Sequence, residues 1–337
     1  MKFGILGAGS WGTALGILWS RHGHEIELWA RDPKHCELMS RNGENFRYLP
    51  GIALPSGCSV TSDLEKVIRN NTLLCLALPL QAYRPFLEII RPWLSDDHQF
   101  VLLSKGIELH TLFLPHQIVT DCLGPKTIAR TFALSGPSFA KEVAQNKPTT
   151  VVLSGHKSEA LERLQTTLNC PTFRTYRNHD LVGVELGGAL KNVIAIAAGI
   201  VRGLNLGHNT MAGLITRGLS EISRMGVAMG AKRQTFSGLS GMGDLILTCN
   251  GDLSRNLRVG MALAQGKSLP EILNDLGMIA EGVKTSESAY ELAKQKFVEM
   301  PIATSVYKII NEGLDPLLAL QQLMTRKLKS ELESSIL

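Results

Sequence analysis

Three glycines in the spacing Gly-x-Gly-x-x-Gly, from Gly7 to Gly12, constrain the fold of this chain more than any other feature. They follow an apolar run that predicts a strand, Lys2–Leu6, and they open a helical segment, Ser10–His22. Between a strand and a helix, Gly7 permits the tight turn, Gly9 lets a pyrophosphate approach the backbone, and Gly12 allows helix–strand packing. The free N–H groups at the helix start favour phosphate. The pattern therefore predicts a dinucleotide-binding site.

Buried apolar strands alternate with amphipathic helices through the first half of the chain. The predicted strands are Lys2–Leu6, Glu25–Ala30, Thr72–Leu78, Gln99–Leu103, Thr131–Ser135, Thr149–Leu153 and Phe173–Tyr176. The predicted helices between them are Ser10–His22, Ser62–Arg69 and Leu80–Trp93. This alternation predicts a doubly wound, mostly parallel sheet with helices on both faces, which is a Rossmann domain.

After about Asn178 the pattern changes to helices alone, which predicts an all-α second domain. These helices are Leu181–Leu204, Met211–Met229, Ser254–Gln265, Ser268–Asp275, Thr285–Lys296, Ile302–Asn311 and Pro316–Leu323. A chain of 337 residues with 44% hydrophobic residues is long and apolar enough for two domains. We place an NAD(P)-binding Rossmann domain at 1–179 and a helical substrate and catalytic domain at 180–337.

Composition argues against several classes of protein. The 35 Lys and Arg residues against 30 Asp and Glu give a net charge of +5. This small, scattered excess allows an anionic small substrate and predicts no nucleic-acid partner. The six cysteines form no CxxC pair and no zinc-spaced cluster with histidine, so we expect reduced thiols and no metal site.

The apolar segment Leu181–Val201 is almost long enough to cross a bilayer. It contains Glu185, Lys191 and Asn192, and charges at the centre of a membrane span are costly. The segment therefore predicts a buried helix of a soluble protein, with no membrane insertion. Lys191 then needs an explanation, because burying an ammonium is expensive unless it is paired or functional. Either a structural ion pair or a general acid/base fits the sequence.

The segment WARD, at the end of the second predicted strand, bears on the choice of cofactor. An acidic residue there usually holds the ribose 2′-hydroxyl of NAD, whereas an arginine can receive the 2′-phosphate of NADP. Arg31 favours NADP, or stacks on adenine, or is a plain loop residue. Asp32 is adjacent, so both NADP and NAD remain open.

Three further segments carry candidate anion-binding residues. Ser254, Arg255 and Asn256 stand where a helix begins, after a glycine-rich stretch that includes Asp244. A serine, a guanidinium fork and open N–H groups suit phosphate, although an ordinary helix cap has the same residues. Lys105 in LLSKGIE and the segment SGPSFAKEV follow predicted strands, and ligands of open parallel sheets bind at the carboxyl ends of strands.

Together these segments resemble the NAD(P)-dependent glycerol-3-phosphate dehydrogenase family in its bacterial biosynthetic form. The matching stretches are GAGSWGTA, LSKGIE, LSGPSFAKEV, GVELGGALKNVIAIAAGI, GMGDLILTC, SRN and AEGVKT, in family order. The resemblance implies reversible hydride transfer between NADPH or NADH and dihydroxyacetone phosphate, giving sn-glycerol 3-phosphate for glycerophospholipid synthesis. It also implies a cytoplasmic enzyme and suggests a homodimer.

The resemblance also implies a role for each matching site residue. Lys191 would be the proton acceptor and donor, and Lys105 and Asp244 would complete the catalytic group. The residues implied for substrate binding are Lys105, Gly136, Ser138, Lys191, Asp244, Ser254, Arg255 and Asn256. Those implied for cofactor binding are Gly7, Gly9, Ser10, Trp11, Gly12, Arg31, Lys105, Ala140, Arg255, Ile279 and Glu281.

Two other functions compete with this one. A related dehydrogenase of the 6-phosphogluconate or hydroxyacid type would also place a lysine on the first helix of a helical domain. A nicotinamide-sensing module without turnover would need the glycines but not Lys191. Substrate trials distinguish the first alternative, and substitution of Lys191 distinguishes the second.

Overall fold

The computed structural model describes residues 1–156, 158–328 and 330–331. Residue 157 of the predicted Rossmann domain and residues 329 and 332–337 of the predicted helical domain therefore lie outside the described residues. The first half of the chain forms one eight-stranded sheet in the order β3-β2-β1-β4-β5-β6-β7-β8. Its strands are β1 (Lys2–Leu6), β2 (Glu25–Trp29), β3 (Cys58–Thr61), β4 (Leu73–Leu76), β5 (Gln99–Leu102), β6 (Thr131–Ser135), β7 (Thr149–Ser154) and β8 (Phe173–Asn178). Neighbouring strands are parallel except β6 and β7, which confirms a mostly parallel sheet.

Helices cover both faces of this sheet, as the sequence predicts. They are α1 (Ser10–Arg21), α2 (Pro33–Asn42), α3 (Leu64–Asn70), α4 (Tyr83–Ile90), α5 (Pro115–Leu123), α6 (Ala140–Ala144) and α7 (Glu159–Leu168). Successive side chains of β1 point to opposite faces. Ile5 belongs to one apolar cluster with Leu15 of α1 and Leu161 of α7, whereas the next residue, Leu6, belongs to another cluster with Val67 of α3.

The structure divides one predicted helix and adds elements that were not predicted, among them β3 and the helices α2, α5, α6 and α7. The predicted helix Leu80–Trp93 is divided into a 3-10 turn at Leu80–Ala82, the helix α4, and a second 3-10 turn at Arg91–Trp93. Pro92, within the second turn, has no N–H to continue the helix. The strand β3 has no counterpart among the predictions, because four residues at the edge of a sheet give too short an apolar pattern.

The second half of the described chain is helical, with α8 (Leu181–Gly203) at its centre. The other helices are α9 (Gly207–Ala228), α10 (Asp244–Asn250), α11 (Arg255–Ala264), α12 (Leu269–Leu276), α13 (Glu281–Lys296), α14 (Pro301–Asn311) and α15 (Pro316–Met324). Helices α8 and α11 cross in backbone contact, since a Cβ atom added to Gly199 would lie 2.1 Å from the Leu257 carbonyl oxygen. This crossing sets the start of α11 beside the middle of α8.

Within the described residues, α8 is the one helix long and apolar enough to cross a membrane. In its most apolar 18 residues, 94% are buried inside the protein, as in the core helix of a soluble domain. All six cysteines are free thiols, and only Cys122 is not fully buried.

Candidate active site

The glycine turn after β1 has the shape that its spacing predicts. Gly7 has a φ of +122°, and a Cβ atom added there would lie 2.6 Å from the Ala77 carbonyl oxygen. A Cβ atom on Gly12 would lie 2.0 Å from the Gly7 carbonyl oxygen, so both positions exclude side chains by packing. A Cβ atom added to Gly9 would meet no other atom within 4 Å. The first turn of α1 therefore has an open approach at Gly9, where a phosphate group would need it.

The segment after α2 packs against this turn. The Ser10 hydroxyl donates to the Tyr48 carbonyl at 2.6 Å. The Asn45 amide donates to the Ala8 carbonyl at 2.9 Å and to the Thr13 hydroxyl at 2.8 Å. Trp11 is half-buried between two apolar clusters of the Rossmann domain. Ser10 and Trp11 thus have structural roles, and their implied contacts with the cofactor remain predictions.

Two charged residues, Arg31 and Asp32, follow β2 and differ in their contacts. The carboxylate of Asp32 caps α2 by accepting a hydrogen bond from the Lys34 backbone N–H at 3.0 Å, and Pro33 follows as the first helical residue. Arg31 is exposed. The Asp32 carboxylate is therefore engaged at the helix end, and a contact of Arg31 with the cofactor remains a prediction.

A buried carboxylate joins the two candidate lysines. Lys191 Nζ lies 2.5 Å from Asp244 Oδ1, and Lys105 Nζ lies 2.5 Å from Asp244 Oδ2. Asp244 is only 1% exposed, and the Lys191 side chain is 8% exposed. The Lys105 side chain is 20% exposed and also donates to the Gly136 carbonyl at 3.3 Å. The structure thus brings together all three residues implied for catalysis, although Lys105 and Asp244 are 139 residues apart in sequence.

Burial lowers the pKa of Lys191 to about 8 from its ordinary value of 10.5. The carboxylate of Asp244 opposes this shift because it stabilises the ammonium, and the positive charge of Lys105 adds to it. Lys191 is therefore both paired and able to lose its proton near neutral pH. The sequence left a structural ion pair and a general acid/base as alternatives. The geometry shows the ion pair, and the general acid/base role remains a prediction.

Small residues on α8 create the space for this group. A Cβ atom on Gly188 would lie 2.9 Å from Ser135 Oγ and 3.3 Å from Lys105 Cγ. Ser135 ends β6, and Lys105 follows β5, so both strand ends meet the helix at Gly188. The ELGG segment therefore lets the edge of the sheet approach α8 within one turn of Lys191.

The residues after β6 lie beside Lys105. The Ser138 hydroxyl donates to the same Gly136 carbonyl that accepts from Lys105, at 3.0 Å. Ala140 is the first residue of the short helix α6. Lys191, Lys105 and Asp244 form what we call the lysine–carboxylate group. The segment SGPSFAKEV contributes Gly136 and Ser138 to its edge, as expected for residues at the carboxyl end of a strand.

The start of α11 combines a cap with an exposed guanidinium. The Ser254 hydroxyl accepts from the Leu257 backbone N–H at 3.2 Å, so it has the ordinary role of a helix cap. The Asn256 amide donates to Asn192 Oδ1 at 2.9 Å and accepts from the Gly282 N–H at 3.0 Å. Arg255 is exposed at the rim of the helix. Phosphate binding by these residues remains a prediction.

The region before α13 links the two halves of the chain. Glu281 Oε1 accepts from the Leu80 backbone N–H at 3.2 Å, which joins α13 to the sheet domain. Burial raises the pKa of Glu281, and the nearby Arg255 opposes that shift. Ile279 is 51% exposed just before this helix. Arg255 and Glu281, which the resemblance assigns to one cofactor region, are therefore neighbours.

The sequence did not indicate three further residues. The Thr248 hydroxyl accepts from Lys191 Nζ at 2.7 Å and donates to the Asp244 carbonyl at 2.6 Å. The Gln81 and Ser288 side chains both donate to the Ile107 carbonyl at 3.0 Å and so hold the loop that carries Lys105. The spacing of Asp244 and Thr248, four residues apart, would indicate Thr248 once α10 is recognised as a helix.

Comparisons with known proteins bear on the family of this chain. Models of the N-terminus and the C-terminus of NAD-dependent glycerol-3-phosphate dehydrogenase match residues 2–161 and 180–321. A protein of Geobacter metallireducens named glycerol-3-phosphate dehydrogenase, NAD(P)+, is 50% identical over 330 residues, which cover 98% of each chain.

Solved structures extend the agreement to the whole fold. The crystal structure of glycerol-3-phosphate dehydrogenase from Coxiella burnetii is 38% identical, with a TM-score of 0.92, over 96% of this chain and 99% of that one. The glycerol-3-phosphate dehydrogenase structure from Plasmodium falciparum is 26% identical, with a TM-score of 0.85, over 98% and 97% of the two chains. This chain belongs to the NAD-dependent glycerol-3-phosphate dehydrogenase family.

Proposed function

We propose that this chain catalyses the reversible, NAD(P)H-dependent reduction of dihydroxyacetone phosphate to sn-glycerol 3-phosphate and so supplies glycerophospholipid synthesis. The observation that carries the proposal is the pair of lysines, Lys191 and Lys105, on the single buried carboxylate of Asp244. This group lies where the ends of β5 and β6 meet α8, in a chain that aligns with named members of the family over nearly its full length.

Lys191 moves the proton in this reaction. NADH or NADPH, when bound, would supply a hydride for the carbonyl carbon, so negative charge would develop on the ketone oxygen. The Lys191 ammonium stabilises this charge and donates its proton to the oxygen, leaving a neutral amine. In alcohol oxidation the amine accepts the hydroxyl proton. A pKa of about 8 makes both forms of Lys191 accessible near neutral pH.

Asp244, Thr248 and Lys105 position and tune that lysine. The Asp244 carboxylate and the Thr248 hydroxyl both contact Lys191 Nζ, which fixes the direction of its remaining hydrogen. Lys105 is more exposed than Lys191, which supports a contact between Lys105 and the substrate. A second ammonium beside the ketone oxygen adds to the stabilisation of the developing charge.

The phosphate of the substrate serves as a handle that does not react. We assign it to the start of α11, where Arg255 offers a guanidinium fork and Ser254 and Asn256 are fixed by hydrogen bonds. Binding energy from the phosphate orients the carbonyl towards Lys191. In the division that we propose, at 1–179 and 180–337, the catalytic group draws on both domains.

Open backbone at Gly9 and the exposed Arg31 fit the phosphate groups of NAD(P)H. The residues that would hold the cofactor are Gly7, Gly9, Ser10, Trp11, Gly12, Arg31, Lys105, Ala140, Arg255, Ile279 and Glu281. We also propose that the protein is a cytoplasmic homodimer. The burial of α8 supports a soluble protein, and the exposed Leu317 and Leu318 of α15 offer an apolar surface to a second copy.

The direct test follows the absorbance of NADPH, and separately of NADH, with purified protein and dihydroxyacetone phosphate. We expect oxidation that requires the substrate phosphate and is absent with unphosphorylated dihydroxyacetone. Turnover of 6-phosphogluconate or a hydroxyacid instead would favour the related dehydrogenases. Cofactor binding without turnover of any of these substrates would favour a sensing module.

A further inference from the structure

We propose that Arg47, together with Arg31, binds the 2′-phosphate of NADPH and so determines cofactor preference. This inference rests on the proposed function, because it concerns the adenosine end of the same cofactor site. Arg47 lies in the segment between α2 and β3, and its side chain is exposed. Neither the sequence patterns nor the resemblance indicated it.

The charges at the end of β2 show why a second cation is needed. The adenosine ribose of a Rossmann cofactor lies beside the end of the second strand, which here carries Arg31 and Asp32. The Asp32 carboxylate caps α2 but keeps its negative charge, which would repel a phosphate. Arg31 alone therefore only balances Asp32, and a dianionic 2′-phosphate needs further positive charge nearby.

Arg47 is held close to this position by the residues around Tyr48. Its guanidinium carbon lies 5.1 Å from the centroid of the Tyr48 ring, and the His35 ring of α2 meets the same ring edge-on at 5.5 Å. Burial lowers the pKa of His35, the charge of Arg47 adds to that shift, and Asp32 opposes it. Arg47 and Asp32 therefore both lie close enough to His35 to act on its charge, in opposite directions.

The same segment is anchored to the glycine turn. The Tyr48 carbonyl accepts from Ser10 in the first turn of α1, and Asn45 donates to the Ala8 carbonyl. Arg47 thus lies on a segment that contacts the first turn of α1 and, through the Tyr48 ring, His35 of α2. It is not held by any ion pair among the described residues, whereas the exposed Arg69 is paired with Glu65 at 2.8 Å.

The chemistry of the side chain suits the ligand. A guanidinium binds a phosphate through two parallel N–H donors and stays charged at every physiological pH. Stacking on Tyr48 restricts the side chain in advance, so less conformational entropy is lost on binding. Two arginines on either side of the ribose would outweigh Asp32 and favour NADPH over NADH.

The test measures binding of 2′,5′-ADP and of 5′-AMP by calorimetry, since the two probes differ only in the 2′-phosphate. We expect Arg47→Ala to weaken 2′,5′-ADP about tenfold and 5′-AMP less than twofold, typical of one lost charge-assisted contact. Arg47→Lys should recover part of the loss. Arg69→Ala is the matched control, and it should change neither affinity.

The same variants give a second readout, the ratio of kcat/KM for NADPH to that for NADH, which Arg47→Ala should lower about tenfold. Equal weakening of both probes would overturn the inference and place Arg47 on the adenine or the pyrophosphate. An unchanged affinity for 2′,5′-ADP would also overturn it. If the protein fails to reduce dihydroxyacetone phosphate, the proposed function fails, while the binding data still test Arg47 by themselves.

Discussion

Two buried carboxylates of the helical half, Asp244 and Glu221, solve the same physical problem in different ways. Each is 1% exposed, and a buried charge without partners would be strongly destabilising. Asp244 is paired with the ammonium groups of Lys191 and Lys105. Glu221, on α9, accepts from the backbone N–H groups of Ile302 and Ala303 at 2.7 and 3.2 Å, in the first turn of α14.

The partners of the two carboxylates decide whether each site can transfer a proton or only stabilise the fold. An ammonium can give up its proton, so the partners of Asp244 can take part in a reaction. Backbone amides cannot, so Glu221 only fixes α14 against α9 and satisfies the free N–H groups of its first turn. Burial raises the pKa of Glu221 to about 7, and the two amide hydrogen bonds oppose that shift. Substitutions at the two sites should therefore affect different properties.

The largest effect is expected from Lys191→Ala. Removing the proton donor should lower kcat for reduction of dihydroxyacetone phosphate by at least about a hundredfold. The protein should remain folded, because Asp244 keeps Lys105 as a partner. Steady-state rates and a thermal melt measure the two properties on the same sample.

Lys191→Met is the control for this prediction, because it keeps an apolar chain in place of the lysine stem. It should be as inactive as Lys191→Ala and should retain cofactor binding. An active Lys191→Met variant would remove Lys191 from the proton transfer and leave it a structural partner of Asp244.

Glu221→Ala should have the opposite profile. Two buried N–H groups lose their acceptor, which should lower the free energy of unfolding by about 2 kcal/mol. The folded variant should retain kcat within about twofold, since Glu221 lies outside the lysine–carboxylate group. Denaturant unfolding gives the stability, and initial rates give the activity.

Glu312→Ala tests whether that loss is specific to the cap. Glu312 is exposed at the other end of α14, where a negative charge is unfavourable for the helix dipole. Its removal should therefore not destabilise the protein. Similar losses for both variants would mean that Glu221 contributes no more than an ordinary surface residue.

The sequence predicts the scaffold of the catalytic group well but not its pairing. The glycine turn and α8 follow from local patterns, and Lys191 is conspicuous because it is a charge in an apolar helix. Its partner Asp244 is harder to recognise from the sequence. Asp244 begins α10 directly after a glycine-rich π-helical turn, Leu239–Gly243, so no helical pattern marks the start of α10. No local pattern predicts that Asp244 contacts Lys105, and only the resemblance placed both in one site.

At the end of β2, the sequence predicts the role of one residue, Asp32, but gives no sign of another, Arg47. The Asp-Pro pair at Asp32 and Pro33 is a recognisable helix start, and it would have assigned the Asp32 carboxylate to the cap of α2. Arg47 could not be found in this way. The segment that carries it is attached to α1 by contacts of Tyr48 with Ser10 and of Asn45 with Thr13, which are more than 30 positions away in sequence.

The pH dependence of kcat/KM gives the smallest effect, and it tests whether the Asp244 site, unlike the Glu221 site, transfers a proton. Reduction needs protonated Lys191, so kcat/KM for dihydroxyacetone phosphate should fall about tenfold per pH unit above about pH 8. Oxidation needs the neutral amine, so kcat/KM for sn-glycerol 3-phosphate should rise by the same factor per unit up to about pH 8. Both profiles are measured from pH 7 to 10.

These opposite slopes follow from one group, because burial and Lys105 hold its pKa below that of a free lysine. Glu221 has no part in them, so Glu221→Gln should leave both profiles unchanged and serves as the control. If the pH profiles of reduction and of oxidation both changed slope near pH 10.5, the Lys191 ammonium would not be desolvated during catalysis. If kcat/KM for the two reactions rose together or fell together with pH, the proton transfer would belong to another residue.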